Sequence, residues 1–416
     1  MPTPSDRQSQ IGRTQIGVLV AATAGNFVSA TPAVQTVFSL FLVPISAEFH
    51  WPRAQVSFAL TLMAVVTAAC YPLVGRLSDQ VGPRRMIVPG NLVFAALVAA
   101  LSLATGGLWQ FYALFAVMAA ASSVVSTMMY TKVVTGWFDA GRGRALGLTA
   151  GLGNGAGATV MPIVAGLLMA RFGWRGAYQG IGVLVALIGF PLLWMFLRDP
   201  PPPSARAAQA EGDGMTLAEA ARTQTFWVML IAIALGAGCV TAVFTHVAPV
   251  LGDHKVSQGL IIGVISTFAL VCAAWQIAIG WLLDRTDAPR IAAPFYIVAA
   301  VGVLMMQRST GAPMLLLSGA LMGIGLGTEF GALPFFISRY FGLKAYGAVS
   351  GVMYAVVILM QGITPVLMDA VFDAKGSYDL ALYAVVAALV AGAALLLTLK
   401  PYGRAAETAA LQPETA

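Results

Sequence analysis

Apolar runs of about 20 residues or more follow one another along almost the whole chain, separated by short polar loops. At 1.5 Å per residue each run is long enough to cross the roughly 30 Å hydrocarbon core of a bilayer as a helix. Twelve spans are predicted, near 15–45, 54–76, 84–105, 108–136, 144–170, 175–197, 225–251, 257–283, 289–308, 312–341, 345–371 and 378–400. Pro32, Pro44, Pro162, Pro249, Pro334 and Pro365 fall inside the longest runs and predict kinks. The longest hydrophilic interruption begins at Arg198-Asp-Pro-Pro-Pro-Pro-Ser and ends in Thr216-Leu-Ala-Glu219, a spacing that suits the cap of a short surface helix. The pattern divides the chain into a tail (1–14), a six-helix bundle (15–197), a linker (198–224), a second six-helix bundle (225–400) and a tail (401–416). The fold class is an all-α membrane protein of two pseudo-symmetric bundles.

One basic loop is written twice: Gly75-Arg-Leu-Ser-Asp-Gln-Val-Gly-Pro-Arg-Arg85 and Gly280-Trp-Leu-Leu-Asp-Arg-Thr-Asp-Ala-Pro-Arg290. Asp79 and Asp284 occupy the same place in each copy, 205 residues apart, close to half the chain. Such an offset marks a duplicated unit. A weaker correspondence follows the fourth span of each half, where Trp137-Phe138 precedes Arg142-Gly-Arg-Ala-Leu-Gly147 and Tyr340-Phe341 precedes Leu343-Lys-Ala-Tyr-Gly347.

Composition agrees with membrane burial: 59% of residues are hydrophobic, 10% are charged, and soluble domains carry about a quarter charged residues. The net charge of +6 is scattered singly between spans with no basic stripe, which argues against a nucleic-acid partner. With the amino terminus in the cytoplasm, sixteen Lys and Arg residues fall on inside segments and six outside. This positive-inside bias places both termini and both duplicated loops in the cytoplasm of a cell (inner) membrane protein. The first span is expected to remain uncleaved. Cys70, Cys239 and Cys272 lie in apolar runs without paired or metal-ligand spacing, so no disulfide, metal site or cofactor is expected.

The duplicated loops, the offset and the twelve spans together resemble the major facilitator superfamily. Within it, Trp137-Phe-Asp-Ala-Gly-Arg-Gly-Arg-Ala-Leu-Gly147, Phe172-Gly-Trp-Arg-Gly-Ala-Tyr178, Arg198-Asp-Pro-Pro and Ser338-Arg-Tyr-Phe-Gly342 resemble bacterial monocarboxylate and oxalate/formate-type carriers. The oxalate/formate branch carries two cations at places held here by Gln276 and Met353, which points away from a dicarboxylate. The resemblance implies a gating role for Gly75, Asp79, Gly82, Arg84, Arg85, Gly280, Asp284 and Arg285, with Asp79 pairing with Arg142 or Arg144 at the start of the fifth helix. Topology alone, a tight turn with positive-inside anchors, is the competing reading.

Few polar groups lie inside spans. Lys132 is the only basic one, and burial there costs on the order of 3 kcal/mol unless pairing or snorkelling relieves it. The resemblance puts its helix beside a central cavity, where it would meet an anionic substrate; the alternative is a lysine snorkelling to the headgroups. Helical spacing puts Ser122, Ser126 and Tyr130 on one face, with Lys132 nearer Val125, Met128 and Met129. Glu329, among the glycines of Gly323-Ile-Gly-Leu-Gly-Thr-Glu-Phe-Gly331, is a proton-coupling candidate or a static partner of Lys132. His246 could bind a carboxylate or pass a proton, or merely pack. Asn26, Tyr130, Gln276, Tyr354 and Gln361 add hydrogen-bonding groups that serve a substrate or hold helices together.

No catalytic residues are expected: Gly-x-Ser-x-Gly, His-Glu-x-x-His and a phosphate-binding Gly-x-x-x-x-Gly-Lys-Ser/Thr loop are all absent. The leading expectation is a monomeric secondary transporter that takes up a small organic anion, a monocarboxylate or aromatic acid, with protons. A proton-antiporting exporter of amphipathic or cationic compounds and a non-transporting sensor are the alternatives.

Overall fold

The computed structural model describes residues 4–139, 141–200, 214–285 and 289–400. Linker residues 201–213, including Arg206, residues 286–288 of the second loop, and the tail 401–416, including Arg404, lie outside the described residues. The described residues form helices and connecting turns, with no strand among them.

Eleven helical stretches are long and apolar enough to cross a membrane. They are α1 (Gly12–Phe49), α2 (Gln55–Val81), α3 (Pro83–Leu103), α4 (Leu108–Trp137), a long stretch Arg142–Phe196, then α7 (Gln224–Asp253), α8 (Gln258–Leu283), α9 (Arg290–Arg308), α10 (Ala312–Phe341), α11 (Tyr346–Lys375) and α12 (Asp379–Thr398). The long stretch is two spans, α5 (142–172) and α6 (174–196). Gly173 alone, at φ 65° and ψ −178°, breaks the helix between them, a left-handed φ that favours glycine. Sequence and structure therefore agree on twelve spans. The linker's end is the one-turn helix Leu217–Ala220, closed by a capping box: Thr216 Oγ1 accepts from Glu219 N, and Glu219 Oε2 accepts from Thr216 N at 2.7 Å. Those hydrogen bonds hold the exposed Glu219 carboxyl below its usual range.

α1 to α6 form one bundle and α7 to α12 the other; α2 lies against α11 and α5 against α8 to join them. In lipid, helices associate through close packing rather than a hydrophobic drive, so small residues mark the contacts. Gly319, Gly323 and Gly327 show this on α10. They recur every four residues, and a Cβ on each would lie 2.6–2.7 Å from a carbonyl oxygen of Val264, Phe268 or Cys272 on α8.

Two spans are interrupted. α1 is α-helical to Phe27, passes through a π-turn at Thr31–Gln35 and resumes at Phe38; α4 breaks at 123–126 and restarts at Thr127. Asn26, fully buried, ties these breaks together. Its Nδ2 donates to Thr149 O on α5 at 2.9 Å, and its Oδ1 accepts from Thr127 Oγ1 at 2.8 Å. Asn26→Ala strips both partners and is expected to cost about 1–3 kcal/mol. A lowered melting midpoint in detergent checks this; an unchanged midpoint contradicts the glue role.

Candidate functional site: a crossed clamp and a hydroxyl-lined cavity

The two copies of the repeated loop lie at one end of the molecule, and each reaches across to the other bundle. The Asp79 carboxylate accepts from the first amides of α11, Gly347 N and Ala348 N, both at 3.0 Å. The Asp284 carboxylate accepts from the first amides of α5, Gly143 N at 2.6 Å and Arg144 N at 2.9 Å. These amides have no intrahelical partner, and the helix dipole adds attraction for a negative charge. Each acid thus caps a helix of the opposite half.

The contact also needs glycine. α2 crosses α11 at Gly75 and Gly347, and α8 crosses α5 at Gly280 and Gly143; in both pairs a Cβ on either glycine would collide with the other's carbonyl oxygen. Without side chains the backbones come close enough for the carboxylates to reach the amides. By role, Gly143 and Gly347 correspond, whereas the letters had suggested Gly147.

The expected pairing of Asp79 with Arg142 or Arg144 is corrected. Asp79 pairs instead with Lys132 Nζ at 2.6 Å, and Lys132 also donates to Ser78 Oγ at 2.6 Å. Arg144 Nε lies 3.4 Å from Asp284, and Arg142 Nε donates to Phe138 O at 2.7 Å. The reason is topological: the start of α5 crosses α8, so Arg144 and the first amides of α5 face the second loop, while Arg142 turns back to Phe138 and Asp139. Lys132 therefore neither pairs with Glu329 nor lines the cavity described below. Among the other loop residues, the Arg84 amide donates to Asp199 Oδ1 at 2.8 Å, Gly82 sits beside that carboxylate at φ 91°, Arg285 stacks on Trp281, and Arg85 is exposed.

A cavity of about 40 Å³ lies where α1 and α4 are broken, lined by residues of α1, α2 and α4, among them Ser29, Thr67, Tyr71, Ser126 and Thr127, and by Ile358 of α11. Its lining contains no charged side chain. Ser122 lines it as well, but Tyr130 does not. Tyr130 is fully buried against Gly25 of α1, because the break at 123–126 rotates the second half of α4 relative to the first. Tyr354 of α11 meets Tyr71 edge-on, ring centroids 6.3 Å apart.

The remaining sequence candidates lie elsewhere. Glu329 is buried inside the second bundle, hydrogen-bonded to Tyr296 of α9; its Oε2 has no hydrogen-bond partner among the described residues. Gly236 of α7 makes the room, since a Cβ there would collide with Glu329 Oε1. His246 Nε2 contacts Asp369 Oδ1 of α11 at 2.9 Å, and its Nδ1 lies 2.7 Å from Ala242 O. Gln276 is buried, its amide reaching Cys272 Sγ at 3.5 Å, and Gln361 is half-buried on α11. Sequence reasoning missed Asp199, Tyr296 and Asp369. Asp199 follows the end of α6 and reaches the start of α3 only across 115 residues of chain, so nothing local marks it or the other two.

Comparison with known proteins agrees with this architecture. A mouse protein named monocarboxylate transporter 11 is 25% identical over 384 residues, 87% of this chain and 83% of its own. YcxA of Bacillus subtilis, described as an uncharacterized MFS-type transporter, is 24% identical over 258 residues, and the match spans only 60% of its length. The crystal structure of the human organic anion transporter MFSD10 superposes with a TM-score of 0.66 at 16% identity, covering 95% of this chain and all of that one. The sequence pattern of the Major Facilitator Superfamily matches residues 19–365, with a second match over 253–414. With the duplicated clamp, the twelve spans and that match in agreement, the chain belongs to the major facilitator superfamily.

Proposed function

We propose that this chain is a secondary transporter that moves a small organic solute with protons by alternating access. The observation that carries the reading is the crossed clamp: two equivalent ties, each joining the halves, which among the described residues lie at one end of the molecule. Breaking both lets the bundles rock apart there while the cavity stays between them. The positive-inside bias assigns the clamped end to the cytoplasm, which makes this conformation the outward-facing one. Lys132 neutralises Asp79 from within its own bundle in this scheme, and is a positioning residue for the clamp rather than a substrate ligand.

Glu329 is the proton-exchanging group of the proposal. Among the described residues no basic side chain contributes to its surroundings and one carboxyl oxygen has no partner, as suits a group that gains and loses a proton during the cycle. A second reading, a monocarboxylate as the solute, is favoured by the similarity to the mouse protein named monocarboxylate transporter 11. A carboxylate would meet no free cation in the cavity, since Lys132 is committed to Asp79.

Two outcomes test this reading. Asp79→Asn with Asp284→Asn keeps the shape but removes both charges, and each lost charge–helix interaction is worth on the order of 1 kcal/mol. Labelling of a cysteine introduced at the clamped end is expected to speed up about 10-fold or more; unchanged labelling contradicts the gate. Glu329→Gln is expected to abolish stimulation of uptake by an inward proton gradient while leaving solute exchange intact. A gradient response equal to the parent's removes Glu329 from proton coupling.

A further inference from the structure

The cavity's hydroxyl groups are oriented in a way that bears on what it can hold. Ser29 Oγ donates to Asn26 O at 2.8 Å, Ser122 Oγ to Ala119 O at 2.8 Å, and Ser126 Oγ to Ser123 O at 2.9 Å. Thr127 Oγ1 donates to Asn26 Oδ1 at 2.8 Å, and Thr67 Oγ1 reaches Ala119 O at 3.5 Å. A hydroxyl has one proton to give and two lone pairs to accept with. With the protons already committed to neighbouring oxygens, what these groups offer the cavity is acceptor capacity. The wall also holds Thr31, Gln35 and the Tyr71 hydroxyl, which can donate as well as accept, and it is free of charged side chains.

A carboxylate would find side-chain donors only at Thr31, Gln35 and Tyr71 and no cation in this wall, and an ion there lacks a counterion, which is costly away from water. The first amides of the restarted α4, Thr127 and Met128, have no intrahelical partner and are further donors that would serve a carboxylate. That alternative is the one an experiment has to exclude. Resting on the transporter reading above, we infer that the cavity binds an uncharged solute bearing hydroxyl or N–H donors, gripped chiefly by the lone pairs of Ser29, Ser122, Ser126 and Thr127, with Tyr71 closing one side. The solute then crosses without charge of its own, and the accompanying proton makes each cycle carry one positive charge.

The full chain reconstituted in proteoliposomes tests this with labelled erythritol, xylitol, mannitol and nicotinamide as uncharged donors, and lactate and benzoate as carboxylates. At least one uncharged probe is expected to enter, several-fold faster under an imposed inside-negative potential. Ser126→Ala and Tyr71→Phe are expected to raise its half-saturation concentration about 10-fold with little change in maximal rate. Entry of lactate or benzoate alone, indifferent to potential and to both substitutions, overturns the inference but leaves the transporter reading intact. Entry of none of the six probes overturns it also. The transporter reading itself falls only if, in addition, cysteine labelling at the clamped end is unmoved by Asp79→Asn with Asp284→Asn.

Discussion

A carboxylate placed against the open start of a helix is the interaction on which the rest of this structure depends. Asp79 and Asp284 each satisfy two amides that have no partner in their own helix, and each does so across the boundary between bundles. Such contacts are strong enough to hold a state and weak enough to release it. A few kcal/mol in all lets modest differences in binding between two states shift their populations. From the glycine-on-glycine crossings the close approach runs on along the same helix pairs, at Gly147 and Gly151 against α8 and at Gly351 against α2, so small residues rather than a large apolar seam join the halves.

Charge placement follows from that arrangement. A lysine deep in a span invites a substrate reading, because an isolated ammonium in lipid is costly and tends to be kept for a purpose. Here the purpose is local: Lys132 balances Asp79 and touches Ser78, both within its own bundle. The cavity between the breaks in α1 and α4 is then left without charge, and its character is set by hydroxyl groups and the Gln35 amide. Glu329, in turn, is set apart inside the second bundle with Tyr296.

The sequence carried the spans and the duplication because hydropathy over 20 residues and a repeated loop are local signals. It also carried the surface helix through Thr216 and Glu219. It could not carry partners. Which helix start Asp79 caps depends on α2 crossing α11, a contact 268 residues away in the chain, and not on the basic residues that begin α5. The polar face of α4 was misjudged at Tyr130 because four-residue spacing holds only along an unbroken helix, and the break at 123–126 resets the phase. His246 and Glu329 stood out as rare residues in spans, whereas Asp369 and Tyr296, which give them their surroundings, looked ordinary.

The account's central claim is that the two clamps join and release together at one end of the molecule. Spin labels at Arg76→Cys and Lys344→Cys, two exposed positions flanking the α2–α11 crossing, report that joint directly without touching either acid. The account predicts two interspin distance populations in the membrane-embedded protein, a short one matching the clamped state and a longer one, with their ratio moved by changing pH. A single short distance, unmoved from acid to alkaline pH, would contradict it.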